Sequence, residues 1–343
     1  MYRAVARDSR DSTSRGHSVS SRAPSVILDQ GIDAHPAVQA WKCLRATRHD
    51  PEKVEVWTSR PTSVYRIVFR NGTPAVFAKR CQLKNGAVER LCFESILPRV
   101  RVPSPVYYGS LEEADGSCWL FLEDVGRQWF SPHDPEHRVL ATRWIGQLHR
   151  KLPPAGPQRY LDHLRSARDR IRRNLGNPGL TEADRDVLGS VLTLEDHLES
   201  RWDQIERASA AFPTTVVHGD FQAKNVRIRS GDSGPTVCVL DWEMAGWGIP
   251  AVDLAWRGID LSIPAELEAY ASEVRMEWPT MDAVAIRRLA VLGVILRRLA
   301  GMDWETESLH FEDPESLSDP VSSLRSMHVS ASRGLAAAEE WLA

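Results

Sequence analysis

The spacing of apolar and polar positions changes character along this 343-residue chain. Between residues 50 and 125 the apolar residues come in short runs separated by turn residues, which is the pattern of strands. "KVEVW", "TSVYRIVFR" and "PAVFAKR" read as three strands, and Asn71-Gly72 between the last two predicts a tight hairpin. "AVERLCFESIL" then switches to helical spacing, with Val88, Leu91, Cys92, Ser95 and Ile96 predicted on one face. "VYYGSL" and "CWLFLEDV" return to strands. These residues predict a mostly antiparallel sheet with one helix inserted after its third strand. A further helix is expected to start near Pro36, ahead of the sheet.

After Gly126 the pattern is largely helical. Asp134-Pro135 supplies a cap and a first turn for "PEHRVLATRWIGQLHRKL", and "RYLDHLRSARDRIRRNL" follows as a second helix. Thr181 with Asp184 predicts the capped start of one long helix, striped by Val187, Leu188, Val191, Leu192, Leu198, Trp202 and Ile205. "LAVLGVIL", residues 289–296, is bounded by arginine pairs and too short to cross a membrane, so it reads as a buried helix. The expected organisation is a disordered Arg- and Ser-rich tail over 1–24, an N-terminal lobe over 25–124 and a larger helical lobe over 125–343, joined near Glu123–Gly126.

Composition narrows the class. The chain is 42% hydrophobic and 26% charged, values of a folded globular protein. A net charge of −3 gives no reason to expect nucleic acid or a membrane surface as partner. Five scattered cysteines without a C-x-x-C argue against a zinc site or a disulfide framework and fit a reducing cytoplasm. No apolar core of a secretory signal is seen, and Asp8 and Asp11 count against an organelle transit peptide.

The chemistry concentrates in "TTVVHGDFQAKNVRI", residues 214–228, which crowds His218, Asp220, Lys224 and Asn225 between two strand-like segments. Sixteen residues after Asn225 comes Asp241, at the end of the apolar run "VCVL". Asn225 and Asp241 offer the hard oxygen ligands that Mg²⁺ prefers. Asp220 is left to orient a hydroxyl and accept its proton. Phosphoryl transfer needs little more, because its loose transition state depends on positioning and charge neutralisation. Lys79, central in the apolar strand "AVFAKR", is costly to bury unless paired, and Glu89 on the following helix is its natural partner.

Taken together, "VFAKR", "VERLCFESILPRV", "LFLEDVG", "WIGQLHRKL", "VVHGDFQAKNV", "VLDWEMAGWG" and "PAVDLAW" resemble the aminoglycoside phosphotransferase and choline kinase superfamily, in family order from about residue 50 to 260. The resemblance implies an α+β, bilobal protein-kinase-like fold. It has a small lobe of antiparallel sheet plus one helix and a larger, mostly helical lobe. It implies an ATP- and Mg²⁺-dependent transfer of the γ-phosphate to a hydroxyl of a small molecule, such as an aminoglycoside-like antibiotic, a sugar or an amino alcohol. Asp220 would be the catalytic base and Asn225 and Asp241 the metal ligands. Lys79 would contact the nucleotide phosphates and Glu89 would hold it. The backbone around Glu123, Asp124 and Val125 would meet adenine, and Asp253 would be structural.

The sequence departs from the family pattern at the phosphate loop. "TSRPTSV", residues 58–64, has no glycine, and Ser59, Thr62 and Ser63 are expected to substitute. Only "WEMAGWGIPAV" separates Asp241 from Asp253, too short for the activation segment of a protein kinase, and Gln222 stands where protein kinases place a lysine. These features favour a small-molecule acceptor.

Other assignments stay open at this level. Arg80 competes with Lys79, and Glu94 with Glu89. Glu243 is a third metal-site carboxylate or a turn residue. His218 and His149 read as structural, and Lys224 as a solvated loop residue or a phosphate contact. The acidic stretch 303–319 would attract a cationic acceptor if it lined the cleft, although a solvated loop is the commoner meaning of such a run. Trp129, Phe130, Trp247 and Trp256 read as core residues or as a stacking surface. A pseudokinase that binds nucleotide without turnover and a metal-dependent hydrolase are the rival functions. Both monomer and homodimer fit.

Overall fold

The computed structural model describes residues 24, 26–45, 50–59, 62–150, 160–231, 234–255 and 264–342. The expected tail, apart from Pro24, and Trp256 lie outside these residues. Six strands form one antiparallel sheet: β1 (Val26–Leu28), β2 (Pro51–Ser59), β3 (Thr62–Phe69), β4 (Val76–Gln82), β5 (Tyr107–Glu112) and β6 (Ser117–Glu123). Their order is β1-β2-β3-β4-β6-β5. The β3–β4 turn has Asn71 and Gly72 at φ 60° and 73°, the left-handed pair that a tight hairpin needs. Strand β1 was not expected from the pattern, because three residues are too few to show a period.

Strand alternation gives the sheet two different faces. Val54, Ile67, Ala78, Trp119 and Phe121 pack on one face against α1 (Pro36–Arg45), whose Val38 and Trp41 close a small core. On the other face Phe77, Lys79 and Cys81 of β4 stand opposite Leu122, Leu120 and Cys118 of β6. That face also meets the inserted helix. The helix runs as α2 (Leu83–Leu91), continues through one π turn (Cys92–Ile96) and ends as α3 (Leu97–Val100).

The buried face of this helix differs from the predicted one. Leu91 is exposed, while Gly86, Glu89, Cys92, Phe93, Leu97 and Val100 are buried. A carboxylate occupies a core position here because Lys79 pairs with it, and a purely apolar count cannot register that. The π turn adds a residue to the repeat and shifts the stripe after Cys92.

Beyond the sheet the chain is mostly helical. It contains α4 (Pro135–Arg150), α5 (Tyr160–Asn174), α6 (Glu182–Ser200), α7 (Trp202–Ala210), α8 (Ala251–Leu254), α9 (Pro264–Val274), α10 (Ala283–Thr306) and α11 (Pro314–Leu342). Two short antiparallel pairs lie among them, β7 (Thr215–Val217) with β10 (Gly246–Gly248) and β8 (Val226–Arg229) with β9 (Thr236–Val239). Thr181 and Asp184 form the expected capping box. The single long helix expected after it is two, broken at Arg201, so Trp202 and Ile205 belong to α7. Helix α10 contains residues 289–296 and is buried there, as expected. A Cβ on Gly293 would collide with the carbonyl of Ala251, so the backbones of α10 and α8 touch at a point only glycine permits.

One carboxylate in this helical region lacks compensation. Glu195 of α6 is buried, and neither of its carboxylate oxygens has a hydrogen-bond partner among the described residues. Burial pushes it up to about 8, and attraction to Arg168 offsets only part of this. The folded protein therefore binds a proton that the unfolded chain has released above pH ~4.5, so stability must fall as pH rises toward 8. Glu195→Gln is expected to remove up to about 1.4 kcal/mol per pH unit of that slope. Urea unfolding at several pH values between 5 and 8 would show the flattened dependence.

Candidate active site

The loop after β7 is shaped by a glycine and a buried carboxylate. Gly219 sits at φ 79°, and a Cβ there would strike the carbonyl of Met244. Asp253, fully buried on α8, accepts the backbone N–H groups of His218 (2.7 Å) and Gly219 (2.9 Å). His149 Nε2 lies 3.2 Å from the same carboxylate, and its Nδ1 lies 3.0 Å from the Tyr270 hydroxyl. His218 Nδ1 accepts from the Asp220 N–H (3.2 Å), which leaves Nε2 to donate to the Leu240 carbonyl (2.9 Å). This imidazole ties the loop of Asp220 to the strand end that presents Asp241. Burial opposes ionisation of Asp253, but its donors outweigh that and hold it below the usual range. Asp253→Ala leaves these donors unpaired and is expected to cost about 3–5 kcal/mol, read by chemical denaturation.

Asp220 sits inside a ring of donors. Its Oδ1 accepts from Arg297 Nη2 (2.8 Å) and from the Gln222 amide, and its Oδ2 accepts from Asn225 Nδ2 (3.0 Å). Lys224 Nζ lies 3.1 Å from Oδ2, so this lysine is a partner of the carboxylate and more than a solvated loop residue. Burial would raise the Asp220 carboxyl, but Arg297 and Lys224 prevail and hold it down at about 2. Arg297 was not singled out in the sequence. It lies four residues beyond Gly293 on the same face of α10, is buried, and also donates to the Phe221 carbonyl at 2.9 Å. The available signal was an arginine at the end of a buried apolar run, which requires a counter-charge somewhere in the fold.

A second cluster forms around Lys79. Its ammonium bonds Glu89, Asp241 and, at 3.2 Å, Glu243 Oε2. Asn85 Nδ2 also reaches Glu243 (3.4 Å). Asp241 adopts φ 66°, a left-handed conformation that aspartate tolerates better than most residues, and the ring of the fully buried Trp242 lies tilted against that of His218, their centroids 4.7 Å apart. Burial disfavours the charged form of Lys79, yet the three carboxylates raise its affinity for the proton well above normal. Burial pushes Glu89 up to about 7, and the neighbouring Asp241 and Glu243 add to this against the pull of Lys79.

The residues left open above take distinct places in the structure. Arg80 lies on the opposite face of β4 and pairs with Glu113 and Asp115. Glu94 is exposed, whereas Glu89 meets Lys79. Glu243 joins the Lys79 cluster. Asn225 donates its amide to the Asp220 carboxylate and carbonyl, which leaves its side-chain oxygen for a further ligand.

Near the linker, Glu123 accepts from Arg229 (2.7 Å) and from the Val106 N–H (2.9 Å). Asp124 pairs with Arg66 (2.6 Å), and Val125 is buried. These carboxylates are engaged in ion pairs, so the main chain of 123–125 is what this segment can offer a ligand. Ser63 pairs with Thr58 and Arg80 in the sheet, while the side chains of Ser59 and Thr62, with Arg60 and Pro61, lie outside the described residues. Arg227 stacks 3.5 Å over the Trp129 ring, Phe130 is buried and Trp247 is partly exposed.

The described carboxylates of Glu89, Asp241 and Glu243 lie within 4.8 Å of one another. With Lys79 as the ammonium among them, the cluster carries an excess of negative charge on hard oxygen donors, which suits a divalent cation such as Mg²⁺.

A sequence profile described as the phosphotransferase enzyme family matches residues 46–285, well over half of the chain. No protein of curated function matches the sequence significantly. Solved structures share the fold at low identity. An ethanolamine kinase of Plasmodium vivax superposes with TM-score 0.58 at 14% identity, over 82% of this chain and 81% of its own. A microcompartment-associated aminopropanol kinase gives 0.54 at 14%, over 88% and 99%. A GDP complex of an aminoglycoside 2'-phosphotransferase variant gives 0.55 at 13%, over 89% and 98%. The sheet with its inserted helix, followed by a mostly helical region, is thus the protein-kinase-like arrangement of small-molecule kinases. Profile and architecture agree, and the chain belongs to the phosphotransferase enzyme family, whose activity is that of a small-molecule kinase.

Proposed function

We propose that the protein transfers the γ-phosphoryl group of ATP to a hydroxyl of a small molecule, with Mg²⁺ as cofactor and Asp220 as base. The observation that carries this reading is the pairing of two unlike clusters. Lys79 is held among Glu89, Asp241 and Glu243 at one, and Asp220 is held by Asn225, Lys224 and Arg297 at the other. Asn225 and Asp241 would hold Mg²⁺, with Glu243 beside them. When bound, the metal supplies neutralisation of phosphate charge. Lys79 stays charged through Glu89 and can exchange its contact with Asp241 for a phosphate oxygen.

In the transfer, the acceptor oxygen bonds to the γ-phosphorus while the bond to the β–γ bridging oxygen breaks. ADP leaves and the hydroxyl proton passes to Asp220. A carboxylate with a pKa of about 2 is a weak base, but that suffices where the transition state is loose and the proton moves late. The nucleotide would lie between the sheet and the helical region, with the main chain of 123–125 at its base. Among the described residues no helix is long and apolar enough to cross a membrane. All five cysteines are free, which supports a reducing compartment.

Acceptor-dependent release of ADP from Mg·ATP across a panel of alcohols, sugars and amino alcohols is the expected result. Phosphate release driven by water alone would favour the hydrolase reading. Nucleotide binding without turnover on any acceptor would favour the pseudokinase.

A further inference from the structure

The carboxylate of Asp220 is already met on both oxygens by donors of this chain. A carboxylate offers about four lone-pair sites, two on each oxygen. Oδ1 accepts from Arg297 and Gln222, and Oδ2 from Asn225 and Lys224. An acceptor hydroxyl must also donate to this carboxylate if Asp220 is to take its proton. One of the present donors therefore has to leave.

The four are not equally free to do so. Arg297 is buried and donates to the Phe221 carbonyl as well, at 2.9 Å. Asn225 is buried and donates a second time to the Asp220 carbonyl, at 3.0 Å. Gln222 shares Oδ1 with Arg297. Lys224 differs from them. Its side chain is 29% exposed, and among the described residues its ammonium contacts only Asp220, at 3.1 Å. Its main chain is fixed, because its carbonyl accepts from Arg227 Nη1 (2.8 Å), whose guanidinium lies over the Trp129 ring. A flexible four-carbon stem thus carries the charge from a fixed point.

The oxygen that Lys224 covers is also the one nearer the proposed phosphates. Asn225 donates to the same Oδ2 and keeps its side-chain oxygen for the metal. A hydroxyl in place of the ammonium would sit about 2.7 Å from Oδ2, with the phosphorus it attacks about 3–3.5 Å further on. The oxygens of that phosphoryl group then fall within reach of the displaced ammonium. No other cation contacts Oδ2 among the described residues, and Lys79 is held at the separate cluster of Glu89, Asp241 and Glu243.

We infer that Lys224 is a catalytic residue: the incoming hydroxyl takes its place on Oδ2, and its ammonium moves to the non-bridging oxygens of the phosphoryl group in transfer. This rests on the reading of Asp220 as the base. The lysine transfers no proton. It neutralises charge on the phosphoryl oxygens while the hydroxyl proton passes to Asp220. In the resting protein the same ammonium balances Asp220, so one ion pair is exchanged for another.

The test is calorimetric titration of the full chain with ADP, in Mg²⁺ alone and in Mg²⁺ with aluminium fluoride, which stands in for the phosphoryl group in transfer. In wild type the fluoride is expected to tighten ADP binding by about 10²-fold or more. Lys224→Gln is expected to bind Mg·ADP as wild type does and to lose about ten-fold or more of the tightening. Lys224→Arg is expected to retain part of it. Equal unfolding midpoints of the three proteins show that the fold is kept. Full tightening in Lys224→Gln would mean that the lysine only caps Asp220, and the inference is wrong. An equal loss with and without fluoride would place the lysine in nucleotide binding and overturn it too. If wild type binds Mg·ADP but fluoride adds nothing, the inference fails and the kinase reading stands. If Mg·ADP itself does not bind, the kinase reading fails and takes this inference with it.

Discussion

Asp220→Ala is expected to lower turnover by roughly 10²–10⁴-fold, the usual contribution of a positioned general base. The substitution removes the one carboxylate that Arg297, Lys224, Asn225 and Gln222 share. It leaves Lys79, Glu89 and Asp241 in place, so the affinity for Mg·ATP should change little. The loss should fall on kcat, because the proton transfer belongs to the transition state and not to nucleotide binding. Asp220→Asn is the useful companion. It keeps the shape, and its amide oxygen can still accept from Arg297, but it cannot take a proton. Both variants should be slow to a similar degree in an ADP-release assay with saturating acceptor. Wild-type turnover in either would sink the assignment of Asp220 as base.

Asp241→Ala should abolish measurable binding of Mg·ATP. Asp241 is the carboxylate that touches Lys79 from the strand end and stands beside Glu89 and Glu243. Without it the site loses a hard oxygen ligand and much of the negative charge that attracts a divalent cation. Lys79 keeps Glu89 and Glu243, so the cluster should not collapse. The residue is at φ 66°, where alanine is strained, and Asp241→Asn separates that strain from the loss of charge because asparagine tolerates the same conformation. Calorimetric titration of wild type, Asp241→Ala and Asp241→Asn with Mg·ATP reads the result directly. Saturable binding by wild type alone supports the metal-side role. Equal binding by all three would mean that the cation is held elsewhere, and Glu243 with Glu89 would become the ligands to test.

Much of this protein is determined locally, and there the chain alone was enough. The strands β2 to β6 follow from alternation, the β3–β4 hairpin from Asn71-Gly72, and the start of α6 from Thr181 and Asp184, because each signal acts within a few residues of itself. The order of the motifs around Lys79, His218, Asp241 and Asp253 was likewise enough to name the family. The pairings that make the site depended on the tertiary structure. Lys79 meets Asp241 and Glu243 across 162 and 164 residues, and Arg297 meets Asp220 across 77, distances over which no periodicity carries information. Burial of Glu89 in place of Leu91 required the strand that brings Lys79 to it. That Lys79 and not Arg80 meets Glu89 depended on which face of β4 packs against the inserted helix. Within the acidic stretch 303–319, the pairing of Asp303 with His163 and Arg170 of α5 was likewise not legible in the chain. Charge in a sequence has a sign and a position but no partner, and the partner sets its energy. That is why the surroundings of Asp220 were decided only when α10 packed against α8 through Gly293 and brought Arg297 to its carboxylate.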